Sequence, residues 1–253
     1  MTTATDSLAD TVFAKADPLA IRTDPFPHLV IENALPVAVL EQLLRSPPAL
    51  EQGASRPATR LALSGQLLTR LDFIDPAWAD FAARHMTPAI THGVARLFQD
   101  HWPAHLKALD LANARFDPLS LSDPGPDTDI LYDARLEVIT PNPDQPAAHR
   151  AAHLDGSNRI FSALFYLRDP ADDSNGGGLT LYRFTGDRPT RAEDMDTLPP
   201  DAVEAVVTIP NVANTLVVFP NRPDAIHGAE IRSPSSLPRR YIFMTAETPD
   251  PLY

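Results

Sequence analysis

Cysteine is absent from the 253 residues. That excludes a disulfide framework, a thiolate metal site and a cysteine nucleophile. Lysine is nearly absent too, since Lys15 and Lys107 are the only ones and arginine supplies the remaining positive side chains; this skew reads as compositional bias more than function. Positive charge as a whole is in deficit, with a formal net charge of −12. Nucleic acid and anionic membrane surfaces, which require a basic footprint, are therefore not expected partners. A small anion can still be held by one well-placed arginine. No window approaches the ~18–20 apolar residues of a membrane span. The first 24 residues combine neither a basic start nor the apolar run of a signal peptide. A soluble, cytoplasmic protein is the expectation. No Ser/His/Asp arrangement presents itself for nucleophilic catalysis.

What is plentiful is proline, 27 residues, about twice the usual share, which favours short elements joined by stiff loops. Residues 1–24 read as a loosely held arm, and residues 25–253 as one domain. Within it, residues 25–130 form a helical support region. A short strand at 26–31 precedes a helix over 36–45, whose apolar face is Val37, Leu40, Leu43 and Leu44. Helices follow at 76–86 and 87–102, each opened by proline in the first turn. His85, His92, His101 and His105 lie here without a carboxylate in register, a pattern expected of core or surface histidines. From Ala134 onward the texture turns to short strands, at 135–139, 159–167, 179–184, 203–209, 214–219 and 240–246. Turn signals every ~8–20 residues suggest a sandwich or jelly roll.

Within that region lies His153-Leu154-Asp155. In an extended strand, side chains at i and i+2 share a face, so His153 and Asp155 can approach one metal ion together. His227, 72 residues on, offers a second imidazole from another strand. Two imidazoles and a carboxylate on one side of an ion leave open positions, the pattern of non-haem iron(II) oxygenases.

The ordered set His153-Leu154-Asp155, Phe165-Tyr166-Leu167, Gly176-Gly177-Gly178-Leu179, Val218-Phe219-Pro220, His227-Gly228 and Arg239-Arg240-Tyr241 resembles the iron(II)/2-oxoglutarate-dependent oxygenases, in their prolyl-hydroxylase-like branch. The resemblance covers residues 134–247 and implies an α+β, mainly β fold: a double-stranded β-helix (jelly roll) core with an N-terminal helical layer packed on it. It implies iron(II) bound by His153, Asp155 and His227, with no catalytic residue beyond these ligands. 2-Oxoglutarate and O2 are the implied co-substrates. Arg240 matches the basic residue that meets the far carboxylate of 2-oxoglutarate. Arg239, pointing the other way in a strand, ranks second. Tyr166 and Ser162, four apart on one face, match positions where relatives place hydroxyls against the same carboxylate. Where some relatives offer a tyrosine on the preceding strand, this chain has Thr140 or Ile139, and the loop Ser233–Pro238 lengthens the approach to Arg240. His149 and Arg159 are candidate substrate contacts, and the acidic loop 187–201 is a solvated excursion or a lid.

The activity implied is hydroxylation of an unactivated C–H with release of succinate and CO2. Halogenating relatives lack the carboxylate that Asp155 supplies. A small-molecule or amino-acid-like substrate is expected, with a peptidyl-prolyl substrate as the alternative. From another class, a cupin-like metal enzyme without 2-oxoglutarate would have no use for Arg240, Ser162 and Tyr166. The sequence does not specify an oligomeric state.

Overall fold

The computed structural model describes residues 8–54, 56–119, 125, 127–147, 150–186 and 197–253. Five helices are present among them: α1 (Val37–Arg45), α2 (Gly65–Leu68), α3 (Pro76–His85), α4 (Pro88–Leu97) and α5 (Ala104–Lys107). The ten strands are β1 (Leu29–Ile31), β2 (Arg60–Leu63), β3 (Phe116–Pro118), β4 (Ile130–Ile139), β5 (Arg159–Tyr166), β6 (Leu179–Phe184), β7 (Val203–Ile209), β8 (Leu216–Pro220), β9 (His227–Ala229) and β10 (Arg239–Glu247).

β4, β5, β8 and β10 are rich in Val, Ile, Leu, Phe and Tyr on both faces and are buried along almost their whole length. Such strands need cover on two sides. They lie in a seven-stranded sheet of order β1-β8-β5-β10-β4-β2, with β3 added to β4, and a second sheet runs β7-β6-β9. Together the sheets form a double-stranded β-helix. Leu164, Tyr166, Val217, Phe219, Tyr241 and Phe243 of the large sheet meet Leu179, Leu181 and Ile209 of the small one between the layers. The opposite face of the large sheet, including Leu136, Val138, Phe165, Ile242 and Met244, packs against Leu43, Trp78, Phe81, Ile90 and Val94 of the helices. Each such apolar side chain contributes roughly 1.5–3 kcal/mol on burial. The helical layer is therefore a wall of the core.

Several elements differ from their sequence expectation. α4 stops at Leu97 and a 3-10 turn, Gln99–His101, follows; Pro103 disfavours helical backbone at Trp102 before it. β4 begins at Ile130, earlier than expected, because β3 pairs with its first residues in parallel. In the segment expected as a loose arm, Thr11, Val12 and Phe13 are buried, and the Val12 N–H donates to His85 Nε2 at 3.1 Å. His85 donates through Nδ1 to the Phe81 carbonyl, so both its ring nitrogens serve the core. No described helix is long and apolar enough to cross a membrane.

Candidate active site

His153 and His227 face each other across an isolated antiparallel bridge. They exchange both backbone hydrogen bonds: His153 N–H donates to the His227 carbonyl at 2.9 Å, and His227 N–H to the His153 carbonyl at 3.1 Å. Residues directly opposite in such a pair put their side chains on the same face, and the rings lie 4.4 Å apart between centroids. Asp155, two residues beyond His153, brings its carboxylate to 3.8 Å from His153 Nε2 and 3.5 Å from His227 Nε2. One ligand atom from each of the three lies within 4.8 Å of the others. The two-residue spacing and the distant histidine of the sequence thus converge in space.

The close bridge depends on Gly228. A Cβ there would sit 2.8–2.9 Å from the backbone of Ala151 and Ala152. Gly228→Ala is expected to push the 151–153 segment away, separate the two histidines and weaken metal retention at least tenfold. Equilibrium dialysis with iron(II) or cobalt(II) reads this, and retention equal to the parent protein would refute it. The turn into β6 uses glycine for another reason: Gly176 and Gly177 have φ of +78° and +77°, backbone that L side chains rarely adopt.

Local hydrogen bonds preset the ligand chemistry. His153 Nδ1 donates to the Ala151 carbonyl at 2.8 Å and His227 Nδ1 to the Ala225 carbonyl at 2.9 Å. A carbonyl only accepts, so each Nδ1 carries the proton and each Nε2 keeps its lone pair toward Asp155. Burial, reinforced by His227, lowers the His153 pKa to about 3. Burial lowers that of His227 as well, although Asp155 opposes it. For Asp155, burial alone would raise the carboxyl. The Arg159 guanidinium at 2.6 Å, the two imidazoles and the Ser162 hydroxyl together outweigh it and hold the carboxyl well below the usual carboxylate range. Neutral imidazoles and an ionised carboxylate are the states a metal needs.

The cluster opens onto a cavity of about 690 Å³, open mouth included, lined by Leu164, Leu179, Tyr241, Phe243 and five arginines: Arg60, Arg135, Arg150, Arg159 and Arg239. At one end Arg239 lies over Tyr166 and Tyr241, 5.4 and 4.6 Å from their ring centres. At the other, Arg135 and Arg159 lie over Phe243 at 4.7 and 5.1 Å. The Tyr166 hydroxyl and Arg239 Nε are buried without a hydrogen-bond partner among the described residues. Burial, partly offset by Arg239, pushes the Tyr166 phenol up to about 12, so it remains a donor.

Arg240 is not in this cavity, a correction to the sequence expectation. In β10 residues alternate between faces; Arg239, Tyr241 and Phe243 face between the sheets, while Ile242 and Met244 face the helices. Arg240 shares the helix side and forms a buried ion pair with Glu51. Ser162 is also placed differently from expectation: its hydroxyl donates to Asp155 Oδ2 at 2.6 Å and so orients the carboxylate. Tyr166, four residues along the same face, lies under Arg239 and not beside Arg240. Arg159 is bound to Asp155 and Glu247, at the cavity wall. Thr140 is engaged with Thr59 and Arg56 and Ile139 lies in the core between the sheets; the tyrosine on the wall is Tyr241. His149 and residues 187–196 of the acidic loop lie outside the described residues. Arg60, Arg135, Arg150 and Tyr241 were missed by sequence reasoning. The inward alternation of Arg135 with Glu137, and of Arg239 with Tyr241, was the available signal.

Residues 142–245 match the family model described as the 2OG-Fe(II) oxygenase superfamily. None of the curated proteins compared with the chain matches it. Among solved structures, a prolyl 4-hydroxylase from Phytophthora capsici aligns with 98% of this chain and 67% of its own, at 15% identity and a TM-score of 0.51. A Pseudomonas putida prolyl-4-hydroxylase aligns with 95% of this chain and 100% of its own, at 17% identity and a TM-score of 0.45. The epimerase SnoN, solved with Fe3+, alpha-ketoglutarate and nogalamycin RO, aligns over 87% and 78%, at 12% identity and a TM-score of 0.47. The chain carries a domain of the 2OG-Fe(II) oxygenase superfamily. It is an enzyme of that class, with iron as its metal and 2-oxoglutarate as co-substrate.

Proposed function

We propose that this enzyme hydroxylates an unactivated C–H of a small-molecule or amino-acid-like substrate, with iron(II) held by His153 Nε2, Asp155 and His227 Nε2. The carrying observation is the convergence of three ligand atoms within 4.8 Å on a cavity lined also by the buried Arg239, which lies over Tyr166, whose buried phenol has no hydrogen-bond partner among the described residues. Those last two groups support assigning the far carboxylate of 2-oxoglutarate to Arg239, with the Tyr166 hydroxyl as second donor. A guanidinium grips a carboxylate bidentately and stays charged when buried. When bound, iron(II) with 2-oxoglutarate and O2 supplies the oxidant, and succinate and CO2 leave as co-products.

The chain's own residues bind, orient and exclude water. Ser162 and Arg159 hold Asp155 from two sides, which fixes the carboxylate before metal arrives. The Ala151 and Ala225 carbonyls fix the imidazole tautomers. Leu164, Leu179 and Phe243 supply apolar wall around the ligands. The presence of Asp155 favours hydroxylation over halogenation.

Anaerobic addition of iron(II) and 2-oxoglutarate to the purified protein is expected to produce a visible metal-to-ligand charge-transfer band. Admission of O2 should then yield iron-dependent succinate. Absence of both the band and succinate would refute the proposal.

A further inference from the structure

In an extended strand every second residue shares a face, and β10 turns Arg239, Tyr241 and Phe243 into the cavity. This row runs from one end of the cavity to the other. Arg239 marks the first end, over Tyr166. Phe243 marks the second, beneath Arg159, which is bound to Asp155 at 2.6 Å. Tyr241 stands between them.

Among the described side chains that line the cavity, Tyr241 carries the only hydroxyl. Its neighbour across β4 is Glu137, and across β5 it is Tyr166. Glu137 would be the nearest acceptor for a phenol there, but its carboxylate is already engaged. Arg60 donates to both of its oxygens, and Arg135 donates to Oε1 at 2.7 Å. The Tyr241 hydroxyl makes no hydrogen bond among the described residues. Burial is the largest influence on this phenol and pushes its pKa up, with Glu137 adding to the effect. The group therefore stays protonated and is a donor near neutral pH. A largely buried donor without an acceptor costs free energy, and an acceptor that arrives with a ligand removes that cost.

We infer that Tyr241 is a positioning residue for the co-substrate, its hydroxyl donating to the keto-acid end of 2-oxoglutarate while Arg239 grips the far carboxylate. This inference rests on the proposed roles of Arg239 and the His–Asp–His cluster and deepens them. A molecule held at both of those points passes the side chain that lies between them. Alternate residues of a strand are ~6.4–6.8 Å apart, so two neighbours on one face of β10 can reach opposite ends of one five-carbon dianion.

The test is anaerobic titration of the iron(II) protein with 2-oxoglutarate, read by the charge-transfer band, in the parent, Tyr241→Phe and Arg239→Gln proteins. Tyr241→Phe keeps the ring under Arg239 and removes one oxygen. It is expected to raise the half-saturating concentration at least tenfold, since a hydrogen bond to a charged acceptor is lost. It should also move the band to shorter wavelength. A donor at the keto-acid end withdraws electron density and lowers the acceptor orbital, and its loss reverses this. Arg239→Gln should raise the concentration but leave the band where it is, because it acts at the far carboxylate. Iron(II) retention without co-substrate, measured by dialysis, should stay within about twofold of the parent in Tyr241→Phe. A half-saturating concentration within about twofold of the parent in Tyr241→Phe would overturn the inference. Weaker binding with an unmoved band would overturn it too, leaving Tyr241 a packing role alone, as would loss of iron retention. If the parent protein forms no band, the oxygenase reading itself has failed; a parental band that Tyr241→Phe leaves unchanged defeats this inference alone.

Discussion

In the Arg239→Gln protein, the 2-oxoglutarate concentration for half-maximal charge-transfer band is expected to rise by roughly a hundredfold or more. Removing one partner of a buried, hydrogen-bonded charge pair costs about 2–5 kcal/mol, and each ~1.4 kcal/mol is tenfold in affinity. The same change at Arg240 should leave that concentration within about twofold of the parent. Arg240 instead pairs with Glu51, and its loss leaves a largely buried carboxylate without its cation. The Arg240→Gln protein should therefore unfold at lower temperature, with a stability loss on the order of 1–3 kcal/mol, and Glu51→Gln added to it should restore part of that loss. Measuring both variants by anaerobic titration and thermal unfolding separates co-substrate binding from packing. A hundredfold effect at Arg240 with none at Arg239 would reverse the assignment.

His227→Ala is expected to abolish the charge-transfer band and reduce iron(II) affinity by at least a hundredfold. It removes one of the three proposed ligands. Asp155→Ala should eliminate iron retention equally but with a different structural consequence. Arg159 would lose its closest anion, at 2.6 Å, and keep only Glu247 at 3.1 Å, so this variant should also be the less stable of the two. Dialysis against iron(II) gives the affinities and thermal unfolding the stabilities. Retention of iron by His227→Ala at parental affinity would exclude His227 as a ligand.

The two arginines show why the co-substrate end was harder to read than the metal end. In a sheet with one wet face, polar and apolar residues alternate and the inward face is evident. Here β10 is buried on both faces, so Arg239 and Arg240 each sit among apolar neighbours and the pattern does not choose between them. The choice comes from register. Arg240 pairs with Val138 and Arg239 with Ile139, which puts Arg239 on the side of Tyr241 and Tyr166. Ser162 was assigned by likeness to a carboxylate contact, yet β5 runs from Asp155 at Ser162 to Arg239 at Tyr166, so its two hydroxyls serve opposite ends of the cavity. Arg60 was beyond sequence reading because it enters from β2, which meets the site only through its pairing with β4 in the fold.

The amino-acid sequence by itself determined the ligand chemistry and its local order. A two-residue spacing on extended backbone sends His153 and Asp155 to one face. The absence of cysteine leaves imidazole and carboxylate as the donors. These are properties of short backbone stretches and need no long-range information. Only the tertiary structure decided that His227 lies directly opposite His153, that Arg239 and not Arg240 enters the cavity, and that guanidiniums from four separate segments line one wall. Those outcomes depend on strand register between residues far apart in the chain, such as Arg239 opposite Ile139, and register is set by which whole faces can be buried together.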